Sequence, residues 1–230
     1  EEPVLDYRES FYPAAMDNEY MDWHKLHRFE DLWGLWGHSY FKLVPPQTYF
    51  QDHPEYFALV GGRRQATQLC LTNPAVERIA VNYLKEAIDE NPDARYWSIA
   101  PMDGAGFCTC DQCRPIDEEE GGHQGTLIRF VNKIAKQFPD KDFTTLAYTY
   151  TADPPRKTKP EDNVYIMLSS IDALRQKPLA DEPTAAPFRD QLSGWKAIGA
   201  NMLFWDYTTQ FTNYLAPFPD YSNLQPKVAY

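Results

Sequence analysis

The sequence predicts an α/β protein, and three observations carry that prediction. Short apolar runs alternate with segments of helical periodicity along the chain. That alternation marks parallel strands joined by crossover helices. No G-x-G-x-x-G or G-x-x-x-x-G-K-[ST] follows a strand, as a nucleotide-binding open sheet would have it. About seven strand-helix units come close to the roughly 250 residues of a (β/α)8 barrel. The expectation is therefore one domain over residues 1–230, a (β/α)8 TIM-type barrel that is incomplete at its C-terminal end. Its last strand and helix are expected beyond Tyr230, leaving an exposed strand edge.

The elements follow in order. Val4 to Tyr12 is a short run with Tyr7, Phe11 and Tyr12. Leu35 to Val44 reads as an aromatic strand, and Thr67 to Leu71 as another. Asn73-Pro74 supplies an N-cap and a proline at the first helical position. Val76, Ile79, Ala80, Tyr83, Leu84 and Ala87 then repeat with helical spacing until Asn91-Pro92. Arg95 to Ala100 reads as a buried strand that runs into a polar loop, Met102 to Gly122. Leu127, Val131, Ile134 and Phe138 line one helix face. Phe143 to Tyr150 and Val164 to Ser169 are strands around the proline-rich segment 154–160. Phe188, Leu192, Trp195 and Ile198 mark a helix, Met202 to Tyr207 a strand, and Leu224 starts a further helix.

Composition narrows the partners. Lys and Arg number 22 against 33 Asp and Glu, a net charge of −11. Nucleic acid and anionic membrane surfaces call for the opposite sign. No apolar run approaches the roughly 18–20 residues that span a bilayer. Aromatic residues reach 15% of the chain, which suits stacking against the C–H faces of sugar rings.

In a (β/α)8 barrel the chemistry sits just past the C-terminal ends of the strands. Asp103, Asp206, His38, Asn73, Tyr148, Tyr150, Ser169, Ser170 and Asp172 occupy such positions. Glycoside hydrolysis needs two carboxyl groups about the scissile bond, or one that orients the substrate's own acetamido group. Asp103, Asp111, Asp117 and Glu118 to Glu120 share one loop. The acidic triplet also reads as a solvated turn at a helix N-terminus. Asp206, between Trp205 and Tyr207, reads as a binding or catalytic group. His38 reads as a core histidine or a contact to a sugar hydroxyl. His24 and His27 have ligand-like spacing but no third partner.

Four cysteines, Cys70, Cys108, Cys110 and Cys113, fit either two disulfides or one tetrahedral zinc. Either would pin the loop that carries Asp103 and Glu120. No local histidine supports a nucleophilic cysteine.

The strings HSYFKLVPPQTYFQDHPEYFALVGGRR, QLCLTNP, WSIAPMDGAGFCTCDQC, EEEGGHQGTLIRFVNKIA, TLAYTYTADPPRKTKPEDNVYIML and FWDYTTQFTNYLAPFP resemble the bacterial domain of unknown function 4838 from about residue 30 onward. The stretch through Tyr20 resembles a first barrel strand more weakly. That family is similar to the barrels of β-hexosaminidases and α-glucuronidases. Some members fall in glycoside hydrolase family 163, endo-β-N-acetylglucosaminidases of complex N-glycans. The resemblance implies an exported protein (periplasmic, cell-surface or secreted) acting on an oligosaccharide or glycoprotein glycan; no cofactor is expected, with a structural zinc at the cysteines or disulfides both open. It places Asp103 after strand four, where hexosaminidase relatives keep an Asp-Glu pair. Here Gly104 is the neighbour, so the acid must come from elsewhere. The expectation is a substrate-assisted retaining hydrolase. Glu120 is its acid, and Asp103 or Asp206 holds the acetamido group. His38, Asn73, Trp97, Tyr148, Trp205 and Tyr207 bind sugar. An acid beyond Tyr230 and a non-catalytic carbohydrate-binding domain are the alternatives.

Overall fold

The computed structural model describes residues 7–11, 13–28, 32–174, 177–180, 183–208, 211–213 and 216–229. Its centre is a five-stranded parallel sheet: β1 (Trp33–Leu35), β4 (Tyr96–Ser98), β5 (Asp142–Ala147), β6 (Val164–Ser169) and β7 (Asn201–Trp205). The strands lie side by side in chain order, with every neighbouring pair parallel. A doubly wound sheet would reverse that order. All five C-terminal ends therefore meet one edge. The other two strands, β2 (Phe57–Val60) and β3 (Arg63–Leu69), form a separate antiparallel hairpin.

The two faces of the parallel sheet differ because side chains alternate along each strand. One face carries Trp97, Phe143, Val164, Ile166 and Leu168, all 1% exposed or less. It packs in one core with helices Pro74–Glu90, Gln124–Ala135 and Ala186–Ala197. The other face carries Trp33, Tyr96, Leu146 and Met167, with Tyr165, Leu203 and Trp205 beside them. The rings of Trp36, one residue past β1, and Trp205, the last residue of β7, are 5.4 Å apart. In a flat sheet the edge strands would stand about 19 Å apart. The sheet therefore curves about its aromatic face, away from the helices.

Local chemistry explains each helix. Asn73 accepts a hydrogen bond from the Ala75 N–H at 2.9 Å, and Pro74 opens the 17-residue helix that follows. Cys113–Glu120 ends on Gly121, whose φ of 82° suits glycine. Gly125 admits the next helix close against it. A Cβ there would stand 2.1 Å from the Cβ of Glu120. The C-terminal helix runs Leu224–Ala229.

Five expectations change. Met102–Gly122 is not loop throughout, because Cys113–Glu120 is a helix whose C-terminal end carries Glu118 to Glu120. The run Leu35–Val44 is not a strand. Gly37, with φ 62°, turns the chain out of β1. Ser39 and Tyr40 both donate backbone N–H bonds to the Ala100 carbonyl, at 3.1 and 3.2 Å. Tyr40–Leu43 is then a helical turn with Tyr40 and Leu43 buried. The segment around Thr67–Leu71 does form a strand, but outside the parallel sheet. Gly61 and Gly62, with φ 57° and 79°, reverse the chain into a hairpin as a primed turn requires. The Phe143–Tyr150 strand ends at Ala147 because Thr149 takes a φ of 48°. The last change concerns Val4–Tyr12, of which residues 4–6 and 12 lie outside the described residues. Tyr7–Phe11 forms no strand. Tyr7 instead accepts a hydrogen bond from Trp33 Nε1 at 2.8 Å and packs edge-on to Tyr96.

Among the described residues, no helix is long and apolar enough to cross a membrane.

Candidate functional site

The strand ends gather Trp36 and His38 after β1, Asp103 after β4, Tyr148 after β5, Ser170 and Asp172 after β6, and Asp206 and Tyr207 after β7. Each loop has its own fastening. Ser98 Oγ donates to the Gly37 carbonyl at 2.7 Å, and the Ala100 N–H donates to Ser39 Oγ at 2.9 Å. His38 Nδ1 lies 2.5 Å from the Pro101 carbonyl. A carbonyl only accepts, so Nδ1 carries the proton in that bond and Nε2 is left to face the strand ends.

Asp103 is held indirectly. Buried Gln68, in β3, donates from Nε2 to the Met102 and Gly104 carbonyls at 2.8 and 3.1 Å. Its Oε1 accepts the Met102 N–H at 2.9 Å. The hairpin thus brackets Asp103 by the backbone on both sides and leaves its carboxylate exposed.

Tyr148 is the centre of the arrangement. Burial raises the pKa of its phenol, and the carboxylate of Asp103, the Tyr207 phenol and the carboxylate of Asp172 raise it further. The hydroxyl therefore stays protonated across the neutral range, with the Asp103 and Asp172 carboxylates in its electrostatic reach. The next residue, Thr149, is β-branched with φ 48°, a strained conformation of the kind that collects at functional sites. The Tyr148 N–H donates to Thr151 Oγ1 at 3.3 Å, and Thr151 donates to the Leu146 carbonyl at 2.9 Å, which keeps the turn closed. Tyr148, Thr149, Ser170 and Asp172 line a cleft, open to solvent, against Phe188 and Gln191 of the helix Ala186–Ala197.

Beside the cleft runs an aromatic strip. Trp36 and Trp205 are 5.4 Å apart, and Phe11 lies 5.6 Å from Trp36. Trp205 stacks toward Tyr207 at 6.3 Å, and Tyr207 meets Phe211 at 5.3 Å. Phe11 and Phe211 are about half exposed. Asp206 is tied beneath this strip. Ser170 Oγ donates to its Oδ1 at 2.5 Å, and the buried Lys227 Nζ lies 3.1 Å from its Oδ2. Lys227 also approaches buried Asp220 at 3.7 Å. Asp206 thus joins the ends of β6 and β7 to the C-terminal helix.

Asp206 is thus spent on this link rather than on an acetamido group, and three further expected site residues do other work. Glu120 has no exposed surface. Its Oε1 receives Arg129 Nη2 at 2.6 Å and Thr158 Oγ1 at 2.5 Å. Its Oε2 receives the N–H groups of Lys157 and Thr158 at 2.9 and 3.0 Å. Burial alone would raise its pKa, but these donors outweigh it and hold the carboxyl down at about 2. A general acid needs the opposite shift. Glu120 is therefore a clamp between the helix Cys113–Glu120 and loop 154–158, and its catalytic assignment is withdrawn. Trp97 is 1% exposed on the helix side of the sheet, its ring over Gly34, and cannot stack on a ligand. Asn73 spends its side chain on the Ala75 N–H and the Glu55 carbonyl as a helix cap.

The sequence did not single out Gln68, Arg129 or Lys227. A lone glutamine in a strand or a lysine in a helix carries no local signal of its long-range partner. Half-buried His123 and buried Asp117 form a second pair, with Nδ1 2.6 Å from Oδ2 and Thr126 Oγ1 2.5 Å from Oδ1. The helix start at Gln124 brings these residues together.

The four cysteines, by contrast, do converge. Cys70, Cys108, Cys110 and Cys113 are free thiols, all buried, with sulfurs within 4.8 Å of one another.

The molecule is thus an α/β protein whose parallel strands deliver acidic, hydroxyl and aromatic groups to one edge. The chain belongs to the family described as Domain of unknown function (DUF4838), whose model matches residues 1–230. No curated protein matches it.

Proposed function

We propose that this chain is a glycoside hydrolase domain of the (β/α)8 class. It acts on N-acetylglucosamine-containing glycans of the complex N-glycan type by substrate-assisted, retaining hydrolysis. The strand order and the curvature about an aromatic face support the barrel. The single observation that carries the activity is that Asp103, past β4, and Asp172, past β6, flank Tyr148 at the end of the intervening β5, with Tyr148 and Asp172 lining an open cleft. Two carboxyl groups facing one site are what this chemistry requires.

Asp172, on the cleft wall, is assigned the acid that protonates the leaving oxygen as the bond from the anomeric carbon breaks. The substrate's acetamido oxygen closes on that carbon from the opposite side. Asp103, steadied by Tyr148, accepts the acetamido N–H and offsets the positive charge on the ring that forms. Water then opens the ring, giving its proton back to Asp172. His38 Nε2 and Tyr207 meet sugar hydroxyls, and Trp205 with Trp36 supplies the stacking wall. Such a protein works outside the cytoplasm, where its glycan is found.

The test is incubation of the protein with a complex N-glycoprotein and mass spectrometry of what is released. Glycans ending in a single N-acetylglucosamine support the hydrolase. The exposed aromatic strip favours a second reading, a carbohydrate-binding domain without turnover. Binding of the glycopeptide without release would select it. Neither release nor binding would overturn both.

A further inference from the structure

Cys70 follows β3, Cys108 and Cys110 lie in the loop after Asp103, and Cys113 opens the helix Cys113–Glu120. Two separated segments, Cys70 after the hairpin and Cys108 to Cys113, thus bring four thiols to one point. None of the four is more than 7% exposed. The sulfurs of Cys70 and Cys110 are 3.7 Å apart, and no pair exceeds 4.8 Å. Four sulfurs at about 2.3 Å from a tetrahedral ion stand about 3.8 Å from one another.

The surroundings have the polarity that thiolates need. The Leu59 N–H donates to Cys108 Sγ at 3.3 Å, and Arg64 Nη1 lies 3.8 Å from the same sulfur. Thr72 Oγ1 lies 3.2 Å from Cys113 Sγ and 3.6 Å from Cys70 Sγ. Four thiolates around a divalent ion carry two net negative charges, and the Arg64 guanidinium offsets one of them. The remaining wall is apolar, from Ala58, Leu59 and Val60.

We propose that Cys70, Cys108, Cys110 and Cys113 bind one zinc ion in a closed, structural four-thiolate site. A soft, all-sulfur tetrahedral set selects zinc over hard cations. Four protein ligands leave no position for water or substrate, so the ion takes no part in glycan chemistry. Its task is mechanical. It ties the β2–β3 hairpin to the loop running from Asp103 to Cys113, the same hairpin whose Gln68 holds Met102 and Gly104. This assignment stands whether or not the chain hydrolyses glycans.

The experiment is metal analysis of the full chain, purified without added metal, chelator or reductant, with thiol counting by alkylation and mass spectrometry. The expected result is about one zinc per chain, with four alkylatable thiols only after denaturation in chelator. Cobalt should replace zinc and show the intense visible bands of a tetrahedral thiolate complex. Cys110→Ser should lose the metal, and Cys70→Ser provides a second variant should the first not fold. Zinc below about 0.1 per chain with two disulfides, stoichiometric iron, or four thiols reactive in the native chain would each overturn the assignment.

Discussion

Glu120 shows how a residue's surroundings decide its role. The string EEEGG offers three carboxylates of equal standing, and sequence alone does not separate them. The fold does: Glu118 faces solvent, Glu119 pairs on the surface with Lys157, and Glu120 is enclosed by Arg129, Thr158 and two backbone donors. Removing it leaves Arg129 without its buried partner. Glu120→Ala should cost about 3 kcal/mol, the low end for a buried pair because Arg129 is one-third exposed. Chemical denaturation at pH 7 checks this. The sign of the pH dependence follows from the depressed pKa. The stabilisation is fully present above the unfolded value of about 4.3 and is lost as pH falls toward about 2. The gap between wild type and Glu120→Gln should therefore narrow as denaturation is repeated from pH 6 down to pH 3. A gap independent of pH would contradict the ionised clamp. The positions of Asn73 and Trp97 follow the same logic. A cap and a core tryptophan resemble binding residues until the face they point to is known.

At the scale of elements, the helices were legible because their apolar spacing and caps are local signals. Asn73-Pro74, the Asn91-Pro92 stop and the run from Phe188 to Ile198 all lie where the helices form. The strands were legible as apolar runs, but their partners were not. Gly61-Gly62 marks a hairpin in sequence, yet the 35–44 and 67–71 runs read as barrel strands because apolar content does not specify pairing. The hairpin has a second consequence. Gln68 makes three hydrogen bonds to the Met102–Gly104 backbone, so it positions Asp103 without reaching the substrate. Gln68→Ala should lower kcat more than it raises KM, by roughly tenfold or more, for a misplaced carboxylate. Gln68→Glu, which keeps the acceptor for the Met102 N–H but loses the donors, should fall between. Equal kcat in all three proteins would show that the loop holds Asp103 unaided.

For the whole molecule, the decisive property is that five parallel strands lie in chain order and curve about an aromatic face. This sends one face of every strand to the helices and the other to the Trp, Tyr and Met lining. It also brings residues from 36 to 207 to a common edge. Candidate residues past the strand ends, Asp103, Tyr148, Asp172 and Tyr207, were legible from the βα alternation alone. What sequence could not supply is which carboxylates face one another across the strands, since that depends on register and curvature. In the proposed hydrolase, Asp103 and Asp172 form the reacting pair while Glu120 is structural. The most direct measurement is turnover of a complex N-glycoprotein by Asp103→Asn, Asp172→Asn and Glu120→Gln. Each is assayed at a temperature where circular dichroism shows it folded. Each aspartate variant should lose roughly 10²–10⁴-fold, and Glu120→Gln should turn over close to wild type. A folded Glu120→Gln without turnover, beside an Asp172→Asn of undiminished rate, would contradict this assignment.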